Sequence, residues 1–97
     1  MQLTFHRIVT TDVIRIINHY EDLGGFNLAK EFQAEVRVTF LKALESPRSH
    51  QNIERDLRRA HLPRFPYHFL FRIVGNNIRV LVVRHHSRQP SLGTSRR

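Results

Sequence analysis

The first half of the chain combines one short alternating segment with two helical patterns. Residues 2–9 alternate loosely between apolar and polar side chains, which predicts a short strand. Apolar residues then recur every three or four positions over 13–23 and again over 28–44, and Gly24-Gly25 separates the two runs. We therefore predict two amphipathic helices joined by a glycine turn, which is an αα-hairpin.

The second half has the pattern of strands. Residues 48–55 are polar, and we predict a loop there. Three strands are predicted after it, at 57–62, 69–74 and 78–83. The last two flank Gly75-Asn76-Asn77, residue types that tolerate the positive φ of a tight turn.

The order of these elements predicts an α+β fold, β-α-α-β-β-β. We expect the αα-hairpin to pack on one face of a small, mainly antiparallel four-stranded sheet. The segment 78–83 is apolar on both faces except at Arg79, so it is expected to lie centrally. Residues 1–97 are expected to form a single domain with a flexible polar tail from about residue 90.

Composition excludes several classes of protein. The chain has no cysteine, so disulfides, thiolate metal sites and cysteine nucleophiles are excluded. No apolar run approaches the ~18 residues that span a membrane, and the N-terminus lacks a signal-peptide pattern. We expect a cytoplasmic protein with no cofactor and no membrane partner.

The charge is unevenly distributed along the chain. Residues 1–47 hold five basic and six acidic residues, a net −1, whereas residues 48–97 hold eleven basic and two acidic residues, a net +9. The chain has 14 Arg and 2 Lys, and arginine favours planar contacts with phosphate or carboxylate. The second half is therefore expected to carry a cationic surface on the sheet face or rim that the helices leave free.

The second half also contains a set of motifs in a distinctive order. They are Arg64-Phe65-Pro66-Tyr67, Phe69-Leu70-Phe71-Arg72, the Gly75-Asn76-Asn77 turn and Arg84-His85-His86-Ser87-Arg88-Gln89-Pro90. Together with the order of elements, they resemble the RelE/ParE superfamily of toxins from bacterial type II toxin–antitoxin modules. Within that superfamily the chain is most similar to the ParE branch.

The resemblance implies a toxin of a plasmid-stabilisation module that a cognate antitoxin neutralises in a toxin–antitoxin hetero-oligomer. ParE-like members are associated with inhibition of DNA gyrase, which implies no enzymatic activity. RelE-like members cleave mRNA on the ribosome, which would make the chain an endoribonuclease. The cationic half by itself also allows a non-toxic, basic nucleic-acid-binding module.

Metal-free RNA cleavage needs a base, an acid and positive charge at the phosphorane. The candidates for these roles in the RelE-like alternative are His68, Arg84, His86 and Arg88. Two departures from nucleolytic relatives weigh against that alternative. Ser87 stands where they often have tyrosine, and His68 stands where they place an arginine.

The remaining predictions concern the partner, the adjacent histidines, metal binding and the aromatic residues. Arg58, Arg59, Arg64 and Arg72 are predicted to contact an acidic antitoxin. Adjacent strand residues point to opposite faces, so only one of His85 and His86 can face a given site. Because no third ligand lies near them in the sequence, we predict no metal site. The alternating aromatic residues Phe65, Tyr67, Phe69 and Phe71 are predicted to pack in the core.

Overall fold

The computed structural model describes all 97 residues and contains one helical segment, a short 3-10 helix and five strands. The elements are β1 (Gln2–Phe5), α1 (Val9–Glu45), the 3-10 helix (Pro47–Ser49), β2 (Gln51–Glu54), β3 (Leu57–His61), β4 (Tyr67–Val74) and β5 (Asn77–His85). The strands form one sheet in the order β1-β5-β4-β3-β2. β1 is parallel to β5, and the other neighbours are antiparallel. The α+β class is therefore confirmed.

The segment α1 is a hairpin of two helical arms. A straight helix of its 37 residues would be ~55 Å long, yet the longest dimension of the molecule is 39 Å. Gly25 interrupts the helix with φ 80° and ψ −171°. The rings of Tyr20 and Phe32 meet across the reversal, 5.5 Å apart. The predicted αα-hairpin is confirmed, and we call residues 9–24 its first arm and residues 26–45 its second arm.

The sheet has five strands, so the predicted count of four was wrong. The additional strand is β2, which lies in the segment 48–55 that we predicted to be a loop. Its residues are exposed except for the half-buried Ile53, because β2 is an edge strand held by pairing with β3. A polar edge strand of four residues has no buried face and hence no alternating pattern in the sequence.

The main core lies between the αα-hairpin and one face of the sheet, the hairpin face. Phe32, Phe69 and Phe71 are completely buried there. Burial of each such side chain contributes roughly 1.5–3 kcal/mol. Phe65 and Tyr67 belong to the same cluster, which confirms the prediction for the aromatic residues. None of the helical segments combines the length and apolar character needed to cross a membrane.

A β-bulge in β5 determines which side chains reach the opposite face. Phe71 pairs with Val80 while Leu70 pairs with Val82, which leaves Leu81 as an extra residue. Ile78 and Val80 belong to the hairpin-face core, whereas Leu81 and Val82 belong to a second cluster on the other face. The extra residue therefore reverses the alternation for the rest of the strand.

The face opposite the hairpin, which we call the free face, is partly covered by the C-terminal tail. Leu57, Leu70, Leu81 and Val82 form a buried cluster on this face. Gly93 has φ 80°, and a Cβ on it would overlap the side chain of Val82. The backbone of the tail thus lies directly against β5. Movement of this tail in solution stays a prediction.

Replacement of Gly25 tests the hairpin turn. Gly25→Ala places a Cβ in a backbone region that is essentially restricted to glycine, so we expect a loss of about 1–3 kcal/mol in the free energy of unfolding by urea denaturation. Gly24→Ala is the matched control, because Gly24 keeps helical backbone angles, although its Cβ would lie 2.5 Å from Leu28 Cδ2 and require the end of that side chain to shift. Alanine favours a helix by about 1 kcal/mol over glycine, which offsets this shift, so the control should lose less stability than Gly25→Ala. Equal losses in both variants would contradict the assigned turn.

Candidate functional site

Three strands bring a histidine or an arginine to one row of the sheet. His61 of β3 pairs with His68 of β4, and His68 pairs with Arg84 of β5. His86 follows the end of β5 and lies beside the same row, its ring 5.1 Å from those of both His61 and His68. His85 contacts Tyr67 on the hairpin face instead, which confirms that the adjacent histidines point to opposite faces.

A chain of hydrogen bonds joins Arg84, His68 and His86. Arg84 Nε donates to His68 Nε2 at 2.9 Å, and the Nδ1 atoms of His68 and His86 are 2.8 Å apart. Because a guanidinium only donates, His68 Nε2 must be an acceptor, and neutral His68 carries its proton on Nδ1. His68 Nδ1 therefore donates to His86 Nδ1, which leaves the proton of neutral His86 on Nε2.

The surroundings of His68 hold it in the neutral form. The pKa of His68 is lowered from 6.5 to about 3, and burial is the largest cause. Electrostatic interactions with Arg84, His86, His61 and Arg59 lower it further. Burial also lowers the pKa of His86, together with His85 and Arg59. The pKa of His61 is lowered by burial, Arg59 and His86. All three ring systems are accordingly neutral at physiological pH.

The guanidinium of Arg84 also anchors the C-terminal tail. Its Nη1 donates to the carbonyl oxygens of Gln89, Pro90 and Leu92 at 3.2, 2.7 and 2.7 Å. Burial and then the charge of Arg59 lower the pKa of Arg84, although a guanidinium keeps its proton in a protein. Carbonyl oxygens thus compensate a buried cation that has no carboxylate partner.

The three histidines have the composition of a metal site, which the sequence did not predict. His61, His68 and His86 each offer a ring nitrogen within 4.8 Å of the others. No third ligand lies near His86 in the sequence, but strand pairing brings His61 and His68 to it in the folded chain. The available nitrogen of His68 is nevertheless protonated, since Arg84 occupies the opposite nitrogen. The donor set therefore fits a hydrogen-bonded relay better than a metal centre.

The four residues predicted for RNA cleavage do not assemble into one site. His68 forms hydrogen bonds with both Arg84 and His86, whereas Arg88 bonds to none of them and lines the cleft that Arg84 and His85 also border. A histidine with a pKa of about 3 is a weak base and no acid at neutral pH. Nε and Nη1 of Arg84 are directed at His68 and the tail, so these donors are not free to stabilise a phosphorane.

Asp12 and Arg96 bind backbone groups along the edge of β5 beyond the end of β1. The sequence did not predict this arrangement. The Asp12 carboxylate accepts from the backbone N–H of Val83 at 3.1 Å and pairs with Arg96 Nη1 at 2.7 Å. Arg96 Nη1 also donates to the carbonyl of Leu81. These side chains satisfy backbone groups that a neighbouring strand would otherwise pair. The two residues are 84 positions apart, so no local pattern signals the pair.

Comparison with known proteins agrees with this architecture. The model of the family described as the ParE toxin of the type II toxin–antitoxin system parDE matches residues 3–90. The chain belongs to the ParE toxin family. It is similar to a solved structure of the chromosomal ParDE toxin–antitoxin system from P. aeruginosa, with 25% identity and a TM-score of 0.74 over 88% of this chain and 95% of that chain. No curated protein matches the chain.

The predicted resemblance to the ParE branch is thus confirmed.

The arginines predicted to contact an antitoxin are dispersed over the structure of this ParE family member. Arg58 donates to the carbonyl of His50 at 2.9 Å, and Arg59 donates to the Gln51 side chain at 2.9 Å, with its buried Nε unpartnered. β2 pairs with their strand, so Arg58 and Arg59 do not lie on an edge of the sheet.

The other two predicted contact residues form ion pairs within the chain. Arg72 pairs with Asp56, and Arg64 pairs with Glu35 at 3.0 Å. Burial opposes ionisation of Glu35, but hydrogen bonds from the backbone and side chain of Arg64 and from the backbone of Phe65 lower its pKa overall. Arg64 keeps a side chain that is 63% exposed.

The neutral state of His68 predicts an acid-sensitive fold. Between pH 6.5 and about 3 the unfolded chain protonates this residue and the folded chain does not. The contribution of neutral His68 to the free energy of unfolding is therefore fully present above pH 6.5. It decreases by ~1 kcal/mol per pH unit as the pH falls toward 3. We expect His68→Gln to reduce this slope in urea denaturation between pH 4 and pH 7, and His19→Gln, at an exposed site, to preserve it. An unchanged slope in His68→Gln would refute the assignment.

The Asp12–Arg96 pair provides a second test. Asp12→Asn leaves Arg96 unpaired and weakens the acceptor for the Val83 N–H, so we expect a loss of about 1–3 kcal/mol in the free energy of unfolding. Asp22→Asn removes the same charge from an exposed position of the first arm that forms no ion pair, and it should change stability by less than ~0.5 kcal/mol. Similar losses in the two variants would exclude the edge-closing role.

Proposed function

We propose that this ParE family member acts in the cytoplasm as the toxin of a type II toxin–antitoxin module, inhibits DNA gyrase by direct protein contact, and is neutralised by its cognate antitoxin. The observation that carries the proposal is the family match over residues 3–90. The similarity to a ParDE structure supports it. The assignment of gyrase as the target follows the branch of the superfamily.

The geometry of the histidine row favours inhibition over nuclease activity. An endoribonuclease needs an acid, a base and a free cation around the scissile phosphate. Here His68 is neutral and hydrogen-bonded on both nitrogens, and Arg84 is directed at the tail. A protein that acts by occupying a surface of gyrase needs none of these groups to be free.

An apolar groove offers the antitoxin a docking surface. The groove of about 340 Å³ lies between β1 and the two arms of the αα-hairpin. We define it by its apolar lining, Leu3, Phe5, Val13, Ile17, Val36, Phe40 and Leu41. Phe5 and Leu41 remain largely exposed in the isolated chain, and exposed apolar patches of this kind mark interaction sites.

We infer that the antitoxin covers this groove with an apolar segment, because the ParDE relationship implies that partner and the groove lacks any other cover. An amphipathic helix or an extended segment laid along the groove would bury Phe5 and Leu41. Arg64, whose side chain is well exposed, is the arginine of the four that we expect to add a charged contact. Arg58, Arg59 and Arg72 are engaged within the chain and are expected to contribute less.

Expression of the chain alone in a bacterium tests the target. We expect growth arrest and filamentation while pulse-labelled protein synthesis continues, and we expect the purified chain to inhibit supercoiling by gyrase. His86→Ala removes the exposed end of the relay and should leave this toxicity intact. A collapse of protein synthesis before DNA synthesis falters, relieved by His86→Ala, would instead establish the ribosome-dependent nuclease.

A charge placed in the groove tests antitoxin binding. Leu41→Glu should weaken binding of the cognate antitoxin at least tenfold, since burying a carboxylate in an apolar contact is unfavourable by more than ~1.4 kcal/mol. Val74→Glu is the matched control, because Leu41 and Val74 are both 51% exposed and Val74 lies outside the groove. Equal affinities of the two variants in titration calorimetry would place the antitoxin elsewhere.

A further inference from the structure

A cleft lined in part by Arg84 adjoins the histidine row and lies apart from the apolar groove. It has a volume of about 660 Å³ and opens between the first arm, the end of β5 and the tail. Ile16, Val83 and Leu92 contribute apolar surface, and Tyr67 adds an aromatic ring. A volume of this size matches the clefts that hold nucleotide-sized ligands.

The polar lining of the cleft is almost entirely cationic or hydrogen-bond donating. Arg15 and His19 lie four residues apart on the first arm and therefore share one face. His85 and Arg88 face them from the other wall. Neither Arg15 nor Arg88 makes an ion pair or a side-chain hydrogen bond within the chain, so both guanidinium groups are available to a ligand.

Contacts within the chain leave His85 as a donor. Its Nδ1 accepts from the backbone N–H of Ser87 at 3.0 Å and lies 2.8 Å from the Ser87 hydroxyl. Because a backbone N–H only donates, Nδ1 is an acceptor, and the proton of neutral His85 is on Nε2. That nitrogen has no partner within the chain.

The single acidic residue in the lining does not oppose an anion. The Asp12 carboxylate is already bound by the Arg96 guanidinium and by the backbone N–H of Val83. No other carboxylate lines the cleft. The cleft therefore combines two unpaired guanidinium groups and two imidazoles without an unpaired counter-charge.

We propose that this cleft binds a phosphate-bearing ligand. Several donors converge from two walls, which suits the three or four oxygens of a phosphate better than the two of a carboxylate. The adjoining apolar surface of Ile16, Val83 and Leu92 can accept the sugar or base of a nucleotide. The phosphate comes either from a free nucleotide or from a nucleic-acid backbone. This inference goes beyond gyrase inhibition, and its binding test on the purified chain does not depend on growth arrest.

Titration calorimetry on the purified chain tests the site with two probes, ATP and a twelve-nucleotide single-stranded DNA. Arg15→Gln/Arg88→Gln removes both free guanidinium groups from exposed positions, and we expect at least a tenfold loss in affinity. Arg48→Gln/Arg55→Gln removes the same charge from exposed positions outside the cleft, and we expect less than about a threefold change.

The two probes distinguish the sources of the phosphate. Binding of ATP at least as tightly as the oligonucleotide identifies a nucleotide site, whereas binding of the oligonucleotide alone identifies a backbone site, and both results support the proposal. Equal losses in the two double variants would reduce the effect to general charge and overturn it. Absence of binding to both probes, or equally tight binding of a glutamate-rich peptide, would also overturn it.

Discussion

The buried guanidinium of Arg84 is the group on which the free face depends. Its Nε fixes the acceptor nitrogen of His68, and this in turn fixes the protons of His68 and His86. Its Nη1 donates hydrogen bonds to three carbonyl oxygens of the tail, and the tail lies over the apolar cluster of the free face. A buried cation without these acceptors would be strongly destabilising, so the strand, the relay and the tail are coupled through one side chain.

The hydrogen bonds that stabilise this buried cation also engage the residues that could otherwise act in catalysis in this ParE family member. The residues that resemble a nuclease site, His68, Arg84 and His86, satisfy one another and leave no free acid–base pair. The surfaces that remain available lie elsewhere. They are the apolar groove against the αα-hairpin and the cationic cleft beside the end of β5. The two candidate binding surfaces thus lie at the periphery of a sheet whose own polar row is hydrogen-bonded internally.

The β-bulge at Leu81 shows how a single backbone irregularity positions the site. If β5 alternated regularly, Arg84 and His86 would lie on the same face as Ile78 and Val80, beneath the αα-hairpin. The extra residue moves them to the free face, where His68 and His61 meet them. An apolar run such as 78–83 gives no sign of a bulge, because both of its faces are hydrophobic.

Local periodicity, turn chemistry and charge were sufficient to predict the helical arms, the glycine reversal, β1, the last three strands, the aromatic core and the cationic second half. The motifs from Arg64 to Pro90 also identified the ParE branch. Four features are visible only in the folded chain: the fifth strand, the meeting of His61 with His86, the Asp12–Arg96 pair and the cationic cleft. Each of these depends on strand register or on contacts between distant residues, and pairing across the sheet is not encoded in any local pattern.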